Sequence, residues 1–475
     1  PATEEFVIHT PFKGAWKEYL GNAALHGRAA TVFAQLITNG VNHGVHCFFV
    51  PIRDENGECL PGIGSADDGV KGGLNGIDNG RLHFTNVRIP RTNLLNRYGD
   101  VAPDGSYSSP IASPGRRFFT MLGTLVQGRV SLDGSAVNAM KVGLDIAIRY
   151  GLERRQFAGA DGKEHVLLDY GQHQRRLLPR LAETYAMVFA SEKLLVTFDE
   201  VFSGVNDSDA NREDLETLAA ALKPLSTWAA LDTLQETREA CGGAGFMASN
   251  RITGLRADLD IFVTFEGDNN VLLQLVGKRL LTDYAAQFKD ADAATLARAA
   301  AGQLGERASK FGLRQLAQSV SDLGQMARSV ESLRETDAQR QLLTDRVETM
   351  VAEVAQVLNA SRKAGKAAQA EAFNAQQHRL IEAARAHGEL LQWEAFTDGL
   401  AKAQDDGTKQ VLTWLRDLFG LHLIEKHLAW YLINGRLSMQ RAAAVSAYID
   451  RLSARLRPHA QDLVDAYGFA PEHVR

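Results

Sequence analysis

The sequence of 475 residues, with 45% hydrophobic and 23% charged residues, has the composition of a folded globular protein with room for about three domains. Its formal net charge of −5 argues against a basic surface for binding nucleic acid. The sequence contains no uninterrupted apolar run of about 18 residues, so no membrane span is predicted. The three widely spaced cysteines are typical of a reducing compartment and argue against a disulfide framework.

The first 100 residues are predicted to form β-structure. Short runs rich in Val, Phe, Ile and Thr are separated by clusters of Gly, Asn and Asp, which is the pattern of strands and turns. These runs are EFVIHTP, ATVFAQL, GVHCFFVPI and GRLHFTNVRIP. In the last run Leu82 and Phe84 alternate with polar residues, which predicts a half-buried strand. The Gly-rich loop 67–80 lacks the spacing of a dinucleotide fingerprint and precedes a strand.

From about residue 115 the hydrophobic period becomes helical. The apolar positions that share this spacing are Phe118, Met121, Leu122, Leu125, Val126 and Val130. Arg129 falls within the same stripe, where an unpaired buried charge is costly. We therefore expect either an anionic partner for Arg129 or a side chain that reaches solvent at the edge of the stripe.

Further helices are predicted over most of the remaining chain. The clearest ones lie at about 166–204 and 212–240. Pro179 and Pro224 fall inside them, so we expect a kink or a break at each proline. Residues 285–465 are rich in Ala, Leu, Gln, Arg and Glu and are predicted to be almost entirely helical.

The segment TFEGDNNVLLQ, residues 264–274, places a glutamate and a glycine before a strongly apolar run. Asp268 and Asn269 are residue types that cap helix N-termini, and Gly267 supplies backbone freedom for the turn. Capping accounts for Asp268 but leaves Glu266 without a role. From this segment alone, Glu266 is either a solvated carboxylate near a helix start or a placed general base.

Several segments, taken in order, resemble acyl-CoA oxidases, which are flavoenzymes of the acyl-CoA dehydrogenase superfamily. They are TPFKGAWKEYLGNAALHGRAATVFAQL, GVHCFFVPIRD, DNGRLHFTNVRIPRTNLLNRYGDV, YGLERRQF, ACGGAGF, TFEGDN and LRPHAQDLVDAYGF. The resemblance runs over essentially the whole chain and implies an α+β fold. It implies a middle β-barrel-like domain at 1–105, a helical bundle domain at 106–285 that carries the catalytic Glu, and a C-terminal helical domain at 286–475.

The resemblance leaves out the family's N-terminal helical domain. The flavin segment of that domain, similar to TELGHG, has no counterpart in this sequence. We therefore expect the 475-residue chain alone to bind flavin poorly, because the missing domain supplies part of the walls of the cleft.

The resemblance also assigns a role to Glu266 and thereby changes its interpretation from capping to catalysis. In the family, the Glu of FEG removes the α-proton of the acyl-CoA thioester while the β-hydrogen leaves as hydride to the flavin. The thioester oxygen is held by a flavin hydroxyl and by the backbone N–H of Glu266. The implied activity is FAD-dependent conversion of acyl-CoA to trans-2-enoyl-CoA in β-oxidation, with electrons passed to oxygen to give hydrogen peroxide.

Two alternatives to an oxidase stay open. The protein is then either an acyl-CoA dehydrogenase that passes electrons to an electron-transfer flavoprotein, or a non-catalytic subunit or fragment that needs a partner to complete the flavin site. The extension of 209 residues after Glu266 favours the oxidase, because dehydrogenases of the superfamily end soon after the catalytic segment.

Four positions match family residues that contact flavin. Tyr19 and Gly21 lie in KEYLG, the segment that passes the flavin ring, although Gly21 could simply form a turn. Asp268 and Asn270 also match flavin-contacting positions, and that role is compatible with capping by Asp268.

Four further positions match residues that serve the FAD of a neighbouring subunit. Arg154 and Phe157 of LERRQF would reach the pyrophosphate and the ring, and Gly242 and Gly243 would approach the adenosine. Gln172 lies beside the position of the family's adenine-contacting glutamine. An ordinary exposed arginine is the alternative for Arg154. The resemblance thus implies a homodimer with FAD at the interface and acyl-CoA as substrate.

Two cysteine-containing segments are interpreted as packing. In NHGVHC, strand alternation places His46 and Cys47 on opposite faces, so we expect no metal site. Cys241 has no histidine nearby in sequence and is not expected to be a nucleophile.

The content of Ala, Arg and Gly suggests a bacterial cytoplasmic protein.

Overall fold

The structure is a computed structural model that describes residues 2–287 and 332–474. The chain divides into two compact units, residues 1–126 and 127–475. The part of the predicted helical stretch that falls on residues 288–331 lies outside the described residues. No helix within the described ranges combines the length and the mean hydropathy needed to cross a bilayer.

The first unit contains short strands and ends in a helix. Its strands are β1 Glu5–Ile8, β2 Lys17–Gly21, β3 Ala29–Thr38, β4 Val41–Pro51, β5 Ile63–Asp67, β6 Asn79–Phe84, β7 Val87–Pro90, β8 Asp100–Val101 and β9 Tyr107–Ser108. The helix is α1, Pro114–Leu122, capped by the hydroxyl of Ser113. Each of the four predicted β runs therefore contains a strand, and Leu82 and Phe84 are buried as expected.

The prediction of a β-barrel-like domain is not confirmed. The described strands of this unit pair as β1–β7, β3–β4, β8–β9 and β2–β6–β5, so every sheet is small and open. The longest hairpin, β3–β4, turns at Asn39 and Gly40, which both have positive φ angles. Buried residues from separate sheets, such as Leu36, Phe48 and Leu82, share one core. The alternation of residue types predicts strands, but it does not predict which strands pair.

The second unit is mainly helical. Its helices are α2 Val126–Glu153, α3 Gly171–Phe202, α4 Asp209–Ala240, α5 Ile252–Leu259, α6 Asn269–Ala286, α7 Thr336–Ser361, α8 Lys366–Leu400, α9 Asp406–Lys426, α10 Leu428–Ile433, α11 Met439–Leu456 and α12 Ala460–Asp465. A hairpin of β10, Arg155–Ala158, and β11, Glu164–Val166, connects α2 to α3.

The two predicted central helices are confirmed, but the prolines do not break them. Pro179 lies inside α3 and Pro224 lies inside α4, and both are buried. The two helices pack against each other over their length. Tertiary packing of their apolar faces therefore outweighs the hydrogen bond that each proline removes.

Helix α6, which follows Glu266, is held between α4 and α8. Leu273 and Val276 are fully buried against Ala221 of α4 and Ala384 of α8. A Cβ built on Gly277 of α6 would lie 2.4 Å from Cγ of Leu380, so α8 passes directly over this glycine. The start of α6, and the turn before it, is therefore attached to a rigid part of the bundle.

Candidate active site around Glu266

Glu266 occupies a strained turn between a short 3₁₀ helix, Asp260–Val263, and α6. Its φ angle is 54° and that of Gly267 is 101°. A left-handed conformation costs a residue with a side chain about 1–2 kcal/mol. Such strain persists only where surrounding contacts determine the backbone, and it is common at functional sites. The glycine expected to supply backbone freedom is thus confirmed, and Glu266 itself shares the unusual conformation.

The carboxylate of Glu266 lies against the backbone of α2 at Gly128. A Cβ on Gly128 would come within 2.6 Å of Oε2 of Glu266 and within 2.8 Å of its Cδ. A larger residue at 128 would therefore displace the carboxylate. Within the described part of the chain, the carboxylate accepts no side-chain hydrogen bond and the N–H of Glu266 donates to no backbone carbonyl. Both groups of this exposed residue remain available to a ligand.

Arg129 is partly buried and experiences the charges of two carboxylates. Burial lowers the pKa of Arg129, while the negative charges of Glu216 and Glu266 favour its charged form. Burial likewise raises the pKa of Glu216, and the guanidinium of Arg129 opposes that shift. Glu216 and Glu266 are therefore the two carboxylates whose negative charges act on Arg129.

Asp268 caps α6, as its residue type predicts. Its Oδ1 accepts hydrogen bonds from the N–H groups of Asn270 at 2.9 Å and Val271 at 3.3 Å. Asn269, the other residue considered as a cap, is instead buried, and its Nδ2 donates to Oγ1 of Thr227 at 3.0 Å. Capping is thus carried out by Asp268, and Glu266 takes no part in it.

Lys223 of α4 lies directly beneath the Glu266 turn, and sequence reasoning did not single it out. Its side chain is completely buried, and Nζ donates to the carbonyl of Phe265 at 3.0 Å and to that of Gly267 at 2.8 Å. The third hydrogen bond goes to Oδ1 of Asn269 at 2.9 Å. A sequence signal did exist: a single lysine interrupts the apolar run LAAALKPLSTW.

Arg154 and Phe157 lie at the opposite end of α2. Arg154 is exposed and follows the last residue of that helix. Phe157 lies at a bulge in β10, has a φ angle of 60° and is 68% exposed. The hydroxyl of Tyr170 donates to the carbonyls of Gln156 at 2.6 Å and Phe157 at 3.1 Å. The hairpin is therefore fastened to the start of α3 while the ring of Phe157 points outward.

The remaining positions of the second predicted group meet at this same end. Gln172 is exposed in the first turn of α3, and Gly242 and Gly243 follow the end of α4. Among the described residues, apart from the chain neighbours of each glycine, no atom lies within 4 Å of a Cβ built on either one, so both present open backbone. Arg176 pairs with Glu239 at 3.5 Å, which ties the start of α3 to the end of α4.

The structure thus sorts the helical candidates into two groups. Lys223, beneath Glu266, and Ala240, at the end of α4 beside Gly242, are separated by about 25 Å along the helix axis at 1.5 Å per residue. Glu266, Asp268 and Asn270 therefore lie far from the group around Arg154 and Phe157. A single flavin ring cannot touch both groups of one chain.

Tyr19 and Gly21 lie in the first unit, at an irregular part of β2. Tyr19 has a φ angle of 63° and is 77% exposed. Its N–H donates to Oδ2 of Asp68 at 3.0 Å, which holds the unusual backbone in place. Gly21 is exposed, and no atom of the described residues beyond its chain neighbours lies within 4 Å of a Cβ built on it. Both residues offer surface for a flat ring.

The segments interpreted as packing have structural partners. Nε2 of His46 lies 3.0 Å from the hydroxyl of Tyr107, and Cys47 and Cys241 are buried. Burial raises the pKa of Cys241 to about 11, which makes it a poor nucleophile. Residues 2–287 and 332–474 contain no group of three side chains that could hold a metal ion.

Comparison with known proteins places the chain in a family. The profile of the acyl-CoA oxidase C-alpha1 domain matches residues 122–281, and that of acyl-CoA oxidase matches residues 335–473. A mouse acyl-coenzyme A oxidase-like protein is 36% identical over 473 residues, which are 99% of this chain and 72% of that protein. The chain belongs to the acyl-CoA oxidase family. The resemblance inferred from the sequence is confirmed.

The chain is also similar to other acyl-CoA oxidases, in sequence and in solved structures. Peroxisomal acyl-coenzyme A oxidase 3 of Arabidopsis thaliana is 39% identical over 98% of this chain, and the chain spans 66% of its length. The structure of acyl-CoA oxidase 1 from Arabidopsis thaliana has a TM-score of 0.85 at 31% identity and covers 100% of this chain and 70% of that one. Acyl-CoA oxidase-2 of Caenorhabditis elegans, bound with FAD, ascaroside-CoA and ATP, has a TM-score of 0.83 at 26% identity, with coverage of 100% and 67%.

The prediction of a bacterial cytoplasmic protein is wrong. The matched relatives include peroxisomal acyl-coenzyme A oxidases of Arabidopsis thaliana and Homo sapiens. The prediction rested on the frequency of Ala, Arg and Gly. These frequencies affect helix propensity and charge, but they carry no physical information about the compartment in which a protein works.

Proposed function

We propose that this chain forms the catalytic part of an FAD-dependent acyl-CoA oxidase that makes trans-2-enoyl-CoA in β-oxidation. The observation that carries the proposal is the Glu266 carboxylate, held at a strained backbone position against Gly128 and hydrogen-bonded to none of the described side chains. Its position in FEGDN of a chain from this family supports the role of base. An acyl-CoA ester as substrate is supported by the matched Caenorhabditis elegans oxidase bound with ascaroside-CoA.

The proposed chemistry uses two groups of Glu266. The carboxylate takes the α-proton as the C–H bond breaks, and the backbone N–H donates to the thioester oxygen as negative charge develops there. FAD, when bound, would accept the β-hydrogen as hydride. The overall reaction converts acyl-CoA and oxygen into enoyl-CoA and hydrogen peroxide.

The residues present fit FAD as the cofactor. Tyr19 and Phe157 are exposed aromatic residues with positive φ angles, and Gly21, Gly242 and Gly243 offer open backbone for close approach. We propose that Tyr19 and Gly21 contact FAD, and that Asp268 and Asn270 near Glu266 also contact FAD. Crystals of matched Caenorhabditis elegans acyl-CoA oxidases contain FAD, which supports this assignment.

We propose a homodimer, and the separation of the two groups within one chain supports it. This second group, Arg154, Phe157, Gln172, Gly242 and Gly243, lies around the end of α4, which is about 25 Å along the helix axis from Lys223 beneath the Glu266 turn. We propose that this second group contacts the FAD of the neighbouring subunit. The exposure of Phe157 supports the proposal, because an apolar ring gains free energy when a partner covers it.

We also propose the three-domain division at 1–105, 106–285 and 286–475. The match to the first family profile ends at residue 281 and the match to the second begins at residue 335, which supports a domain boundary between these positions. The separation of residues 1–126 as a compact unit supports a first domain of similar size.

The activity is tested by measuring the products formed from a saturated acyl-CoA in air. The protein that carries this chain is expected to form one hydrogen peroxide for each enoyl-CoA. Enoyl-CoA formation that requires an electron-transfer flavoprotein and yields no peroxide would identify a dehydrogenase. The absence of acyl-CoA turnover in flavin-loaded protein would contradict the proposal and favour a non-catalytic subunit.

Arg154→Ala is expected to weaken FAD binding by about tenfold to a hundredfold, because a charge-assisted hydrogen bond contributes about 1.5–3 kcal/mol. The measurement is the dissociation constant for FAD by equilibrium dialysis, together with the thermal unfolding midpoint. Arg155→Ala is the matched control, since Arg155 is the adjacent exposed arginine and donates to Glu164 of its own hairpin. Equal FAD affinity for both variants would contradict the role of Arg154.

A further inference from the structure

All three N–H donors of the Lys223 ammonium have acceptors in the segment around Glu266. An ammonium has three donors and no acceptor. Two of its hydrogen bonds go to the carbonyls of Phe265 and Gly267, the residues on either side of Glu266, and the third goes to the side chain of Asn269. The lysine therefore hydrogen-bonds to the backbone before and after Glu266 without contacting the side chain of Glu266.

This arrangement offsets two costs at once. A buried ammonium is unfavourable without partners, and a left-handed glutamate is unfavourable without external support. Burial lowers the pKa of Lys223 to about 8, while the charges of Asp268 and Glu266 favour the ammonium, so the group remains mainly protonated at neutral pH. Its three donors are thus present under the conditions in which the turn must hold its shape.

A further hydrogen bond of Asn269 connects the Glu266 turn to α4. Besides accepting from Lys223, Asn269 donates to Oγ1 of Thr227, one helical turn along α4. Because α4 and α6 also pack through Ala221 and Leu273, the turn is tied to α4 by both polar and apolar contacts. On the other side, Gly128 limits where the carboxylate can lie.

We propose that Lys223 is the positioning residue of the active site and holds the backbone on both sides of Glu266 in the conformation that proton abstraction requires. The inference rests on the proposed role of Glu266 as the base. Lys223 itself touches neither the Glu266 carboxylate nor, being completely buried, the substrate. Its removal should therefore lower the rate of proton transfer while leaving substrate binding largely intact.

The test compares Lys223→Met with wild type in the flavin-loaded protein. We expect kcat to fall by about tenfold to a hundredfold, since a displacement of about 1 Å at a reacting group has an effect of this size. The KM for acyl-CoA and the FAD content should change little. Amides of residues 264–274 should exchange with deuterium faster, because the carbonyls that fix the turn lose their donor.

Lys141→Met is the matched control. Lys141 is a partly buried lysine on α2, whose Nζ lies 5.8 Å from the ring centre of Tyr467 and whose pKa is lowered by burial. Its loss is expected to affect stability without changing kcat or the exchange of residues 264–274. Lys223→Gln, which keeps an amide donor, is the second variant if Lys223→Met does not fold, and its kcat should also fall by at least about tenfold.

The outcomes separate this inference from the proposed function. A folded Lys223 variant with kcat within twofold of wild type and unchanged exchange at 264–274 would overturn the inference, as would a loss of FAD with unchanged kcat per bound FAD. Wild-type protein without acyl-CoA turnover would contradict the proposed function. Deuterium exchange would then still decide whether Lys223 holds the turn, because that measurement does not depend on activity.

Discussion

Glu266→Gln is expected to lower the kcat for a saturated acyl-CoA by at least about a hundredfold, the usual contribution of a general base. The amide has nearly the shape of the carboxylate and fits the same space against Gly128, but it cannot accept the α-proton. FAD content should remain that of wild type. The measurements are enoyl-CoA formation and the exchange of the α-hydrogen with deuterium oxide, which reports proton removal directly.

Glu216→Gln is the matched control for the loss of charge. Glu216 and Glu266 are the two carboxylates whose charges act on Arg129, so either substitution removes one negative charge near that guanidinium. Only Glu266 lies on the strained turn before α6. We expect kcat of Glu216→Gln to stay within about threefold of wild type. A similar loss in both variants, or a rate for Glu266→Gln within tenfold of wild type, would remove Glu266 from the role of base.

The second large effect concerns a buried ion cluster far along the chain from Glu266. Glu389 of α8 is 2% exposed, and its Oε2 lies 2.6 Å from Nη1 of Arg346, which is also buried. Its Oε1 accepts from Nζ of Lys426 at 3.1 Å, and Nε2 of His427 lies 3.1 Å from Oε2. One carboxylate therefore links α7, α8 and the end of α9.

Glu389→Gln is expected to lower the free energy of unfolding by about 3–5 kcal/mol, because it leaves the buried charge of Arg346 uncompensated. The measurement is urea unfolding at neutral pH. Glu394→Gln is the matched control on the same helix: Glu394 pairs with Arg340 at 2.7 Å, but the side chains are 30% and 40% exposed. Its expected cost is at most about 1 kcal/mol. Equal costs for the two variants would show that burial does not distinguish the pairs.

The same cluster predicts a loss of stability in acid. Burial alone would raise the pKa of Glu389, but the hydrogen bond with His427 and the charges of Lys426 and Arg346 hold the pKa well below its ordinary value of 4.5. A lowered pKa means that the folded state binds the proton less readily than the unfolded state. The stabilisation is therefore complete above about pH 4.5 and is lost as the pH falls toward the lowered pKa. Glu389→Gln should remove this part of the pH dependence.

The sequence by itself determined much of the local structure and predicted the residue that we propose as the base. Hydrophobic period predicted α3 and α4 to within a few residues, residue type predicted the cap at Asp268, and the glycine at 267 predicted the turn. These features depend on side chains close together in the chain, so a local pattern contains the necessary information. The segment TFEGDN, in the order of its neighbours, pointed to Glu266.

Only the tertiary structure decided what surrounds that base. Lys223 and Gly267 are 44 residues apart, and Gly128 lies still further from Glu266 in the chain. In the sequence Lys223 is one lysine in an apolar helix. Its ammonium reaches its three acceptors only when α4 packs against α6. The separate small sheets, and the unbroken helices at Pro179 and Pro224, have the same origin: distant segments contribute packing energy that local propensity does not contain.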